Sequence, residues 1–184
     1  MRNIYHAFFL TVLFCAVSCY SPPHKIEMLS DAYLNKQPKD YKSLLLVFTG
    51  TAVDRTILEN LGLELTKKLK KKNIVVTAEY FGGENSKTTS HLLQLISKKQ
   101  ADALILFTPL NGAVIKEYYG GLRDLETRQI TTRQRYDIRL YDIDEKPVWG
   151  ARLNLHIYVD SKKHYSKIAD EIILHMYENA LLRK

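Results

Sequence analysis

Leu44-Leu45-Leu46-Val47-Phe48, followed by Thr49-Gly50-Thr51, is the stretch on which the fold turns. An unbroken apolar run of this length suits a strand buried on both faces, as in a helix-covered parallel sheet, and the Gly-containing triplet ends it in a loop. A helix follows. Asp54 is placed to cap it, and Ile57, Leu58, Leu61, Leu65 and Leu69 recur at the spacing of one helical face. Its last turn carries Lys67, Lys68, Lys70, Lys71 and Lys72. Cations there face the negative end of the helix dipole, each well-placed one contributing about 0.3–1 kcal/mol at low salt.

Working outward, Ile74 to Tyr80 is a second β-rich run, which Gly82-Gly83 breaks. Ser86 or Thr88 opens a second helix carrying Leu92, Leu93 and Ile96, and Ala103 to Phe107 repeats the buried-strand pattern. Strand, helix, strand, helix, strand implies right-handed crossovers and a parallel sheet. Beyond Pro109 the period changes to two. Ile130, Thr132, Tyr136, Ile138 and Leu140 alternate with Arg133, Arg135, Asp137 and Arg139, and Trp149, Ala151, Leu153, Leu155 and Ile157 alternate on the return after the turn at Asp144 to Pro147. Setting Leu140 opposite Trp149 keeps both apolar sets on one face. That register puts Asp137 opposite Arg152, Arg135 opposite Asn154 and Arg133 opposite His156, whereas a slip of one residue separates the apolar sets. Asp160 or Ser161 then caps a last helix with Tyr165, Ile168, Ala169, Ile172, Met176 and Ala180 on one stripe. The expected fold is α/β: a mixed sheet of about five strands, three parallel and two in an antiparallel hairpin, packed with three helices.

The 184 residues, 46% hydrophobic and 26% charged, suit one globular domain and exclude a disordered or fibrous chain. The amino terminus reads as an address. Arg2 precedes the uncharged run Ala7 to Val17, too short to cross a hydrocarbon core that needs about 20 apolar helical residues. The following Ala16-Val17-Ser18-Cys19 resembles the lipobox of bacterial lipoproteins, whose cysteine is acylated, although Ala16 stands where that family usually has Leu. Modification of Cys15 instead, or ordinary cleavage near Ala16, are the alternatives. The expected organisation is a signal peptide at 1–18, a lipidated tether at 19–40 that includes one or two helical turns over Met28 to Leu34, and one α/β domain at 41–184. Tyr20 after the cysteine is not the Asp of an inner-membrane retention signal, so a periplasm-facing outer-membrane anchor is expected. Of the net charge of +7, only Arg2 lies in the first eighteen residues, leaving the remainder at +6.

Ala101-Asp102 ahead of an apolar strand, Leu140-Tyr141-Asp142 before a turn, and Ala169-Asp170-Glu171 in the last helix together resemble motifs of the TolB amino-terminal domain, the curli secretion lipoprotein CsgG and the synthase activator LpoB. The resemblance spans roughly Tyr41 to Tyr177. It implies a cell-envelope binding module without catalysis.

Chemistry-bearing patterns are sparse. Thr49-Gly50-Thr51 sits where a phosphate loop would, but lacks the further glycines and lysine of such a loop. His24, His91, His156, His164 and His175 show no metal-ligand spacing, no G-x-S-x-G elbow occurs, and the carboxylates are scattered. No enzyme activity, metal or cofactor is expected. Arg133, Arg135, Arg139, Arg152 and His156 share the outward face of the hairpin, which reads either as a solvated sheet face tempered by Asp137 or as a positive surface suited to an anionic partner. The segment Asn111 to Glu126, with Tyr118, Tyr119 and a Gly pair, reads either as a contact loop or, over Ala113 to Tyr119, as further strand. The expected function is a lipid-anchored periplasmic adaptor or assembly factor held to the membrane by its lipid and binding an envelope protein. The alternative is a glycan- or small-ligand-binding lipoprotein using the basic face, and a hydrolase is a third reading. Export argues against nucleic acid.

Overall fold

The structure is a computed structural model that describes residues 24–28, 40–82, 89–110, 114–115, 131–143, 147–158 and 162–183. The buried run forms β2 (Ser43–Gly50) and the stripe behind it forms α1 (Ala52–Lys70), with Ile57, Leu58, Leu61, Leu65 and Leu69 all turned inward. Thr51, not Asp54, is the cap: its hydroxyl accepts from Asp54 N while the Asp54 side chain accepts from Thr51 N, a reciprocal box. β3 (Val75–Gly82), α2 (Thr89–Lys99) and β4 (Ala103–Leu110) complete the crossovers, and β2 pairs in parallel with both β3 and β4. The hairpin of β6 (Thr131–Asp142) and β7 (Pro147–Tyr158) adds to the β4 edge in antiparallel fashion. α3 (Lys162–Glu178) closes the chain.

The hairpin has the expected register: Leu140 lies opposite Trp149, Asp137 opposite Arg152, Arg135 opposite Asn154 and Arg133 opposite His156. Two strands go beyond the expected set. β1 (His24–Met28) pairs antiparallel with β7, and the short β5 (Val114–Ile115) pairs with β6, giving a seven-stranded sheet with the order β1-β7-β6-β4-β2-β3 and β5 beside β6. The segment expected to be a tether thus contributes an edge strand that ends at Met28, and the rest of the stretch read as a possible helical turn, 29–34, lies outside the described residues. The strand alternative for Ala113 to Tyr119 holds at Val114 and Ile115; the rest of that segment, with Tyr118 and Tyr119, lies outside the described residues. So do Cys19, the expected turn at 144–146 and the expected caps Asp160 and Ser161.

Alternation in the strands separates two cores. Leu44, Leu46, Phe48, Ile105, Phe107, Tyr136, Ile138, Leu140, Trp149 and Leu153 pack under α1 and α3, while Leu45, Val47 and Leu104 meet Leu92 and Ile96 of α2 on the opposite face. Each fully buried Leu or Ile contributes about 1.5–3 kcal/mol. The larger core runs the width of the sheet, and the smaller lies over β2 and β4.

Candidate functional site

Where the smaller core stops, β6, β7 and β1 present the odd-numbered side of β6. Arg135 and Arg152 are exposed, Arg139 and Asp137 are half-buried, and the register aligns Lys25 with Asn154 and Glu27 with Arg152. Arg139 Nε donates to Asp137 Oδ2 at 2.7 Å, so Asp137 is engaged along its own strand and not by Arg152 opposite. Lys25 Nζ lies 2.8 Å from Glu27 Oε1. That bond and the Lys25 charge hold the Glu27 carboxyl below the usual range, with Arg152 and Arg135 acting in the same direction. β1 thus adds Lys25 and Glu27 to the face as a pair and leaves its net charge unchanged. Arg133 and His156 occupy opposed positions further along, but their side chains lie outside the described residues.

At the carboxyl ends of β2 and β3 lies a cleft of about 190 Å³. Phe48, Leu58, Tyr80 and Phe81 wall it, while Thr51, Ala52 and Arg55 of the first turn of α1 form part of the rim. Phe48 and Tyr80 stack with centroids 5.0 Å apart and planes at 17°. Burial pushes the Tyr80 phenol up, and Glu59 adds to this, so it stays protonated at neutral pH. Arg55 Nε donates to Glu59 Oε1 at 2.7 Å.

A polar network lies behind the Thr49–Thr51 loop. Asp54, 5% exposed, accepts at Oδ2 from Thr51 N at 2.9 Å and Thr51 Oγ1 at 2.7 Å, and at Oδ1 from Gln134 Nε2 at 3.0 Å and the Tyr136 hydroxyl at 3.1 Å. Tyr136 also meets Gln134 Oε1, so its single proton is shared. Burial pushes the Tyr136 phenol up, and the Asp54 carboxylate does so too. Gly50 has φ 140°, and a Cβ there would stand 2.7 Å from Asp54 Cβ. The Thr49-Gly50-Thr51 loop is consequently fixed from beneath, and its glycine has a steric reason unconnected with phosphate.

The cleft is absent from the sequence reading because Phe48, Arg55 and Tyr80 come from different elements. One signal was available. Gly62 interrupts the apolar face of α1, and an interior helical glycine marks close approach. A Cβ on Gly62 would lie 2.6 Å from Tyr80 Oη and 2.9 Å from Phe48 Cε2.

No protein-family model matches the chain. No curated protein matches it either. Among solved structures it is similar to the PelC dodecamer from Paraburkholderia phytofirmans, at 12% identity and a TM-score of 0.46 over 88% of this chain and 99% of that one. A substituted form of that dodecamer gives 13% identity and a TM-score of 0.46, over 85% and 98%. The solution structure of an uncharacterized lipoprotein B from Nitrosomonas europaea gives 14% identity and a TM-score of 0.27, over 78% and 81%. At these identities and TM-scores the likeness assigns no ligand, partner or task.

Proposed function

We propose that the chain is a lipid-anchored periplasmic adaptor or assembly factor, attached to the outer membrane through Cys19 and binding another envelope component without catalysis. The observation that carries this reading is the sheet face of β6, β7 and β1, where Arg135 and Arg152 stand exposed beyond the edge of the smaller core. Two exposed arginines on one face suit it to steering and holding an acidic protein surface. The uncharged run before Ser18-Cys19 supports the anchor, and the short motifs that resemble those of the TolB amino-terminal domain, CsgG and LpoB are in keeping with an envelope setting. No described helix is long and apolar enough to cross a membrane.

The test is in-cell crosslinking of the full-length protein, comparing it with the double variant Arg135→Gln, Arg152→Gln. Neutralisation is preferable to reversal because a glutamate at either position would repel Glu27. Both side chains are exposed, so stability should move by no more than about 0.5 kcal/mol. An envelope protein captured by the parent and lost in the variant supports the reading; the same protein captured equally by both sinks it. Recovery of an anionic glycan in place of a protein would favour the alternative reading of the same face.

A further inference from the structure

We infer that the cleft beside α1 is a second, separate binding site, for a small anion built on a single aromatic ring, with the ring against Tyr80 and the acidic group at Arg55. Size sets the first limit. An apolar cavity of about 150 Å³ accepts one benzene ring, so about 190 Å³ has room for a ring with a small substituent. Shape sets the second. Half-buried Tyr80, stacked on the fully buried Phe48 at 17° from parallel, offers the aromatic surface against which a further ring packs offset or edge-on. That surface is braced from behind, because only a glycine at position 62 lets the helix approach Tyr80 and Phe48 so closely.

Charge sets the third. The bond from Arg55 to Glu59 uses Nε, and a guanidinium has further N–H donors in its terminal fork, the arrangement that recognises a carboxylate. Arg55 also stands on the first turn of α1, at the positive end of the helix dipole. The protonated Tyr80 phenol presents a neutral face to an incoming anion. None of these side chains belongs to the face carrying the adaptor reading, so either proposal can fail alone.

The probe is phenylacetate, titrated into the full-length protein in nanodiscs and followed by amide chemical shifts and calorimetry. Acetate, the anion without the ring, and benzyl alcohol, the ring without the charge, are the controls. Saturable phenylacetate binding that moves the amides of Gly50, Thr51 and Ala52, with acetate silent and benzyl alcohol weaker, is the expected result. Arg55→Gln should weaken phenylacetate about tenfold and leave benzyl alcohol unchanged. Glu59→Gln should tighten phenylacetate about two- to fivefold by releasing Arg55. Ala52→Phe, at an exposed rim position away from the core, should abolish binding of both ring compounds without unfolding the protein. Absence of saturable phenylacetate binding at millimolar concentration overturns the proposal, as do affinities indifferent to Arg55→Gln or equal for acetate and phenylacetate.

Discussion

The carboxylate of Asp102 accepts hydrogen bonds from two successive amides, Lys42 N at 2.7 Å and Ser43 N at 2.8 Å, while its own amide donates to Ser43 O at 2.9 Å. This clamps the start of β4 to the start of β2, and it explains physically why an Ala-Asp pair precedes the strand. Asp170 of the last helix has a comparable structural partner in Lys68, 2.7 Å away on α1. Beside Asp102, Tyr41 is 5% exposed, and its hydroxyl is buried with no hydrogen-bond partner among the described residues. Burial pushes this phenol up to about 12, with the Asp102 charge acting in the same direction. A folded pKa raised above the unfolded value of about 10 stabilises fully below pH 10, and the contribution is lost as pH rises from 10 to about 12. Tyr41→Phe should therefore stabilise the protein by about 1 kcal/mol at pH 7, by deleting an unsatisfied hydroxyl, and shallow the alkaline limb. Urea midpoints of parent and variant between pH 7 and 12 would show both effects; a destabilised variant with an unchanged limb would mean that the hydroxyl has a partner.

The helices end alike, and none of their ends carries the expected punctuation. Asn73, Gln100 and Ala180 have φ of 61°, 52° and 55°. After each, the next amide reaches back five residues: Ile74 N to Leu69 O at 3.1 Å, Ala101 N to Ile96 O at 3.1 Å and Leu181 N to Met176 O at 2.9 Å. These are Schellman closures, with buried apolar pairs in place of a glycine signal. Ala180 therefore turns the chain out of α3, although its spacing from Met176 reads as a continuation of the helix. Glycine at these positions removes the left-handed strain of a side chain at some cost in unfolded-state entropy. Gln100→Gly and Ala180→Gly should each stabilise by about 0.5–1 kcal/mol, and Asn73→Gly by less, because asparagine tolerates this conformation. A drop in the urea midpoint for either of the first two would contradict the strain argument. Elements with strong periodicity were legible: the β2 run, the α1 stripe and the hairpin register all follow from spacing. β1 was not, since Ile26 is the only residue between Lys25 and Glu27 to signal a buried side, and pairing with β7 is a property of the assembled sheet. The same division holds for the sites. The arginine face follows from a period of two within one hairpin, whereas the cleft exists only once β2, α1 and β3 have met.

At the scale of the molecule, β1 changes what a lipid on Cys19 would do. An anchor followed by a tether through residue 40 would let the domain roam roughly 75 Å from the bilayer. With β1 starting at His24, only five residue steps separate it from Cys19, a reach of about 18 Å at most. His24 pairs with Leu155, Leu155 with Gln134, and the neighbouring Arg135 with Leu110 at the carboxyl end of β4. The chain thus enters the sheet at the same end as the cleft and the Asp54 network, while Asp102, Ile143 and the last turn of α1 lie about 25 Å away along an eight-residue strand. Given the proposed lipidation, the cleft end faces the membrane and the lysine-rich end of α1 points into the periplasm. Lipidated protein in nanodiscs with spin-labelled headgroups should show broadened amides at Gly50, Gln134 and Leu155 and sharp ones at Lys71, Asp102 and Ile143. Cys19→Ser should abolish the gradient and release the protein to the soluble fraction with its thermal midpoint unchanged, because the substituted residue precedes β1 in the sequence. Uniform broadening, or broadening at Asp102 first, would show that the anchor does not orient the domain through β1.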